Sequence, residues 1–314
     1  MTVAELYERY NSDGYTAALT TPVEHADELF YLTLLAFGEN DLTRAAQFAE
    51  QATARAPANL VYAAAATYLA RAAQAGKQSV YLSPEAFSAF IRGGGNVPLY
   101  QATSAALRQA YADDRATSVL DIGVGDGLAL LPALTPAIRQ LDILEPSAAL
   151  LSATSARLNE RGIPHRAFNQ TLEDFAACSD ESWDIIQATF SLQSIAPDER
   201  GPLLAWMRDH GRRVLIAEFD VPDFAAMYAP NRVLYVVEHF QRGLAEYSGD
   251  GGLVAQGFLM PVLFGYFDQT AARTNYEQPV REWAEQLRSA GFADIATKQL
   301  YPYWWAPAYL IAAS

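Results

Sequence analysis

The chain has 314 residues, 51% hydrophobic and 18% charged, which supplies a full core and excludes a disordered polymer. Lys plus Arg number 22 against 36 for Asp plus Glu, a net charge of −14 that repels phosphates, so no nucleic-acid or membrane-surface partner is expected. Cys178 is the only cysteine, which rules out an internal disulfide and a cysteine-based zinc site. The N-terminus carries acids early and lacks an apolar core, unlike a secretory signal. The longest uncharged apolar stretch, 251–267, is interrupted by Gln256, Pro261 and glycines. These features predict a cytoplasmic protein with no membrane span.

Residues 1–92 read as an all-helical N-terminal cap. Ala and Leu recur at helical spacing through 26–37, 42–56 and 59–74, with turn signals at 38–40, 57–59 and Gly76. Residues 38–62 resemble one tetratricopeptide unit, but no second copy follows at the expected period, so an ordinary cap is expected rather than a peptide-binding array. Ser83 and Pro84 mark a helix start, and the glycines at 93–95 mark a break.

From about residue 97, short β-prone runs alternate with helical stretches. Seven strands are predicted, at 117–122, 139–145, 163–168, 183–190, 212–219, 294–301 and 306–313, with a helix at 281–292. The pattern predicts an α/β domain over 93–314, a mostly parallel sheet with helices on both faces.

The most informative segment is SVLDIGVGDGLALL, residues 118–131. A buried-strand pattern runs into Gly123, Gly125 and Gly127 and then into an expected apolar helix, letting the backbone approach a ligand closely. A dinucleotide fingerprint needs its third glycine where Leu128 stands, and the Lys of a phosphate loop is missing. Asp121, two residues before the first glycine, would oppose a pyrophosphate but suits a cation. The loop therefore fits a nucleoside bearing an amino acid and a positive charge. Glu145, with Pro146 after it, ends the second strand, where an acid can accept hydrogen bonds from both ribose hydroxyls.

The segment VLDIGVGDG resembles the first motif of the class I S-adenosylmethionine-dependent methyltransferases. The resemblance implies a seven-stranded Rossmann-like sheet whose last strand inserts antiparallel, with S-adenosylmethionine as cofactor. It implies that the loop backbone at Gly123, Gly125 and Gly127 cradles the amino-acid part and that Asp121 helps hold its ammonium. Gln170, Thr171 and Leu172 match the adenine-binding positions, with Asp174 as an alternative contact. Ala188 would offer its carbonyl to the ammonium, while Phe190 and Gln193 would face the methyl or the acceptor. Many relatives carry a histidine where Gln193 stands, which puts a base there in doubt. Tyr100 would cap the ligand carboxylate, with packing as its competing role. A second, diffuse resemblance, to GRAS-domain proteins, rests on the helical front 95–110, the SVLDI strand and the aromatic C-terminal segments.

Residues 219–276 are rich in aromatic and apolar side chains and lie where this fold commonly inserts acceptor-binding elements. They are expected to form a lid over a small apolar or aromatic metabolite of specialised metabolism. Core packing or a homodimer interface is the competing use of the helix over 233–244. If the acceptor must lose a proton, Glu238 and His239 are the first candidates for base, followed by Glu218 and Tyr235. His25, His165 and His210 are scattered, so no metal is expected. The expected activity is in-line methyl transfer, and the alternative is a GRAS-like ligand-sensing or protein-interaction module that binds the cofactor without transfer.

Overall fold

A computed structural model describes residues 2–77 and 83–314. Helices α1 (Val3–Leu19), α2 (Ala26–Gly38), α3 (Leu42–Arg55), α4 (Leu60–Ala75) and α5 (Pro84–Ile91) come first, followed by α6 (Asn96–Asp113). Then β1 (Ser118–Ile122), α7 (Leu130–Ala133), β2 (Gln140–Leu144), α8 (Ala148–Glu160), β3 (Arg166–Phe168) and α9 (Leu172–Ala176) alternate. They are followed by β4 (Trp183–Thr189), α10 (Arg200–His210) and β5 (Gly211–Phe219). Helices α11 (Pro230–Glu246), α12 (Met260–Gly265) and α13 (Val280–Ser289) lead to β6 (Ile295–Tyr301) and β7 (Ala308–Ala313).

The chain forms two compact units. One comprises Met1–Val97 with Phe224–Ala272, the other Pro98–Asp223 with Arg273–Ser314. In the second, seven strands run in the order β3-β2-β1-β4-β5-β7-β6. The first five pair in parallel, and β7 lies antiparallel between β5 and β6. The expected α/β sheet and its antiparallel last strand are therefore present. β3 keeps only three residues of its predicted run, which contains Pro164, a residue with no N–H for a ladder.

Alternation of side chains along the strands builds two cores. Val119, Ile143, Ile185 and Leu215 face Leu107, Tyr111 and Leu158 of α6 and α8. Leu120, Leu144, Ile186, Val214 and Ile216 face Leu204, Trp283 and Leu287 of α10 and α13. In open sheets of this kind ligands lie beyond the C-terminal strand ends.

The predicted helix after the glycine loop is a single turn, α7. Pro132 and Pro136 explain the stop, because proline removes a helical donor and disfavours helix in the residue before it. No extended helix therefore follows the loop.

The helical unit shows why 219–276 is not simply an appendage of the sheet domain. α2 is buried on all sides from Glu28 to Gly38, as expected of a helix apolar all round. Phe264 of α12 packs on Phe37 at 4.7 Å and stacks on Tyr68 at 5.3 Å, and Phe258 stacks on Phe90 at 4.2 Å. Tyr31 donates to the Tyr228 carbonyl at 3.0 Å, and Lys77 pairs with Asp268 at 2.9 Å. A Cβ on Gly38 would lie 1.8 Å from the Tyr228 hydroxyl, so the contact requires glycine. The sequence reading placed this insertion with the sheet; residues 224–272 fold instead with the N-terminal helices. Tyr228, Phe240, Tyr247, Phe258, Phe264 and Phe267 are core side chains there, which accounts for most of the aromatic content attributed to a lid. Among the described residues no helix is long and apolar enough to cross a membrane.

Candidate functional site

The glycine loop follows β1 and folds back over the end of β2. The N–H groups of Gly123 and Val124 donate to the Leu144 carbonyl at 2.8 and 3.2 Å. Gly123, Gly125 and Gly127 all have positive φ, at 67°, 55° and 72°, the conformation glycine adopts without strain. Their surroundings differ. A Cβ on Gly123 would strike Ser191, one on Gly127 would press on Leu131 and Thr154, and one on Gly125 would meet open space. Gly125 is thus where the loop backbone is open to a ligand. Thr154 of α8 anchors it from behind by donating to the Gly125 carbonyl at 2.7 Å.

Two acids flank this loop in unlike environments. Asp121 of β1 is buried, and neither carboxylate oxygen has a hydrogen-bond donor. Burial pushes its carboxyl up to about 7, Gln187 counteracts part of that, and the charge of Glu145 adds to it. The Gln187 amide nitrogen lowers the value from nearby but stands outside hydrogen-bonding geometry, while its oxygen accepts from the Tyr111 hydroxyl at 2.5 Å. Glu145, in contrast, is well supplied: one oxygen accepts from Gly125 N–H at 3.0 Å and the other from Ser147 N–H at 2.9 Å. Placed directly after β2, it therefore clips the loop to the start of α8. Glu145→Ala is expected to lower affinity for adenosine and S-adenosylhomocysteine alike by about tenfold, the scale of a lost charged hydrogen bond, as measured by calorimetry. Unchanged affinity for both would remove Glu145 from the site.

Of the residues expected at adenine, Leu172 is a core side chain and Thr171 caps α9 by accepting from Asp174 N–H at 3.2 Å. Leu172 can offer a ligand only backbone atoms, whereas Gln170, Thr171 and Asp174 are exposed and the Thr171 hydroxyl keeps its own donor. Asn169, which sequence reasoning missed, donates to the carbonyls of Glu145 and Pro146 at 2.9 Å each. A polar residue directly after β3 was the available signal.

The end of β4 is the strained part of the site. Ala188 is buried, and Phe190 holds φ +55°, a backbone state that bulky residues adopt only where the surroundings enforce it. Its N–H donates to the Ala217 carbonyl at 2.8 Å. Phe190 stacks on Phe219 at 4.7 Å, Phe219 stacks on Tyr303 at 5.3 Å, and Tyr100 meets Phe190 edge-on at 6.1 Å. Burial raises the Tyr100 hydroxyl well above its ordinary value, so it is a neutral donor at physiological pH. Ser191, a second missed residue, donates to the Ile122 carbonyl at 2.8 Å and covers Gly123.

Tyr235, Glu238 and His239 lie on α11 of the helical unit. Glu238 is exposed. The His239 ring stacks on Tyr235 at 3.8 Å with Nδ1 at 2.8 Å from the Tyr235 carbonyl. Burial lowers its pKa. The neutral tautomer that donates from Nδ1 carries its lone pair on Nε2.

No family model matches the sequence, and no curated protein matches it. Among solved structures, the chain is similar to an S-adenosylmethionine-dependent methyltransferase of Leishmania major, at 13% identity over 75% of this chain and 80% of that one, with a TM-score of 0.51. Magnesium protoporphyrin IX methyltransferase of Synechocystis, crystallised with S-adenosylhomocysteine, matches at 15% identity over 73% of this chain and 92% of that one, with a TM-score of 0.47. A methyltransferase of Clostridium acetobutylicum matches at 11% over 68% and 91%, with a TM-score of 0.45. The likeness to the Leishmania structure is one of fold, and the fold is that of the class I S-adenosylmethionine-dependent methyltransferases.

Proposed function

We propose that the chain is an S-adenosylmethionine-dependent methyltransferase acting on a small apolar or aromatic metabolite. The observation that carries this reading is Asp121, a buried carboxyl without a donor beside a glycine loop open at Gly125. A buried carboxylate lacking partners is costly, and a cationic ammonium is the group that would satisfy it. Glu145, anchored across the loop, is the second acid and faces the sugar in this reading. The cofactor supplies, when bound, an electrophilic methyl on sulfur. The chain's own part is to hold both reactants in line and exclude water, and positioning of this kind is worth about 7–11 kcal/mol in favourable cases. An apolar or aromatic acceptor is supported by the Phe190–Phe219–Tyr303 stack at the β4 and β5 ends, whose first two residues are only partly buried.

Calorimetric titration with S-adenosylmethionine and S-adenosylhomocysteine tests the reading, followed by transfer assays on phenol, amine and carbon acceptors. Saturable binding of both and methylation of one acceptor class are expected. Absence of heat with either compound overturns the proposal, and binding without any transfer favours the sensing module.

A further inference from the structure

We propose that Glu218 is a positioning residue: its buried carboxyl holds the turn after β4 and, through Ser191, sets the glycine loop for the amino-acid end of the cofactor. The inference rests on the methyltransferase reading above and assigns a role to a side chain that neither contacts the loop nor belongs to the acids flanking it. Glu218 is the penultimate residue of β5, in alternation with Val214 and Ile216 of the α10-side core, and is 1% exposed. Its Oε1 accepts from Gln193 N–H at 3.2 Å, and the Leu192 N–H also faces it. These are the first donors of the 3-10 turn Leu192–Ser194, so the carboxyl acts as its cap. The same turn is held from the opposite side, where Tyr276 N–H donates to the Gln193 carbonyl at 2.7 Å. Arg200 closes the ring, with Nε on the Ile195 carbonyl at 2.9 Å and Nη2 on the Tyr276 carbonyl at 2.8 Å, its guanidinium 4.1 Å from the Trp283 ring centre.

The consequence reaches the loop in one step. Residue 191 lies directly before the capped turn, donates to the Ile122 carbonyl and fills the space where a Cβ on Gly123 would sit, 2.4 Å from its own Cβ. Phe190, on the other side of Ser191, is kept in its left-handed state between the turn and the bond to Ala217. A displaced turn therefore moves the part of the loop nearest Asp121, while Glu145 and the adenine side are held from outside the loop by Ser147 and Asn169.

Two charged groups act on Glu218: Arg200 on α10 favours the carboxylate and Glu277 opposes it. Tyr309 lies directly across on β7. Burial outweighs Arg200 and pushes the carboxyl up to about 8, so near pH 7 it is mostly the neutral acid. Glutamine preserves that neutral acceptor.

The test compares S-adenosylhomocysteine with adenosine, which lacks the amino-acid end, by calorimetry on the full chain. Glu218→Ala is expected to weaken S-adenosylhomocysteine binding by about tenfold and to leave adenosine binding unchanged within about twofold, while Glu218→Gln restores near-native affinity. Ser191→Ala, which removes one bond of the same connection with little risk to folding, gives the same split if Glu218→Ala does not fold. Equal losses for both ligands, or full S-adenosylhomocysteine affinity in Glu218→Ala and Ser191→Ala, overturn the positioning role while leaving the methyltransferase reading intact. Failure of the unmodified chain to bind S-adenosylhomocysteine overturns that reading and the inference with it.

Discussion

Replacing Asp121 with asparagine is expected to lower affinity for S-adenosylmethionine by about 10–100-fold while raising the melting temperature of the ligand-free chain. The two effects have one cause. Both carboxylate oxygens are buried without donors, so a charge there is a burden until a cationic group neutralises it. An aspartate in water titrates near 3.8 and this one at about 7, because the folded state favours its neutral form. Stability is therefore lost as pH rises: the penalty is absent below about pH 4, grows between the two values, and is complete above about pH 7, on the order of 4 kcal/mol. The difference in melting temperature between Asp121→Asn and the unmodified chain should widen from pH 5 to pH 8 and then level off. Binding follows the opposite sense. An ammonium stabilises the ionised carboxyl, so complex formation near pH 7 releases protons, and affinity falls as the pH drops below 7. A variant that binds the cofactor normally, or melts lower at pH 8, would remove Asp121 from this role.

Gly123→Ala is expected to be the most damaging single-atom change in the loop. The residue has φ +67°, where an L side chain costs about 1–2 kcal/mol, and the new Cβ would lie 2.4 Å from that of Ser191. Loop and β4 turn must separate, and a displacement of about 1 Å at a binding site can cost about 100-fold. The expected result is a loss of S-adenosylhomocysteine affinity of that order and a drop in stability of about 2–4 kcal/mol, read by calorimetry and thermal melting. Adding Ser191→Gly removes the overlap but not the backbone strain, so the double variant should recover only part of both losses. A Gly123→Ala chain with native affinity would mean that the loop does not carry the ligand.

Much of this site was legible because its chemistry is compressed into short segments. Three glycines within five residues, an acid two positions ahead of them and a second acid at the next strand end need no tertiary information to be recognised. The parallel strands were legible for a related reason, since strands buried on both faces read as near-continuous apolar runs bounded by turns. The capacities of the two acids were not legible. Nothing local separates Asp121, stripped of donors by burial, from Glu145, supplied with two N–H groups by a loop and a helix start. Likewise Leu172 matched an adenine-binding position but its side chain belongs to the core, because α9 turns that face onto the sheet.

What the sequence determined by itself, then, is the order of elements, the glycine loop after β1 and the pair of carboxylates near it, all of which follow from backbone preferences and apolar periodicity over a few residues. The partner of the insertion was decided only in three dimensions: Phe258 and Phe264 are as compatible with a lid as with a core until Phe90, Phe37 and Tyr68 are found against them. The same holds for Ser191 and Glu218, whose significance lies in contacts with Gly123 and the β4 turn, 68 and 25 residues away from them respectively. Burial and long-range hydrogen bonding are properties of the packed chain, and they alone set which carboxyl is strained, which is satisfied and which holds a turn in place.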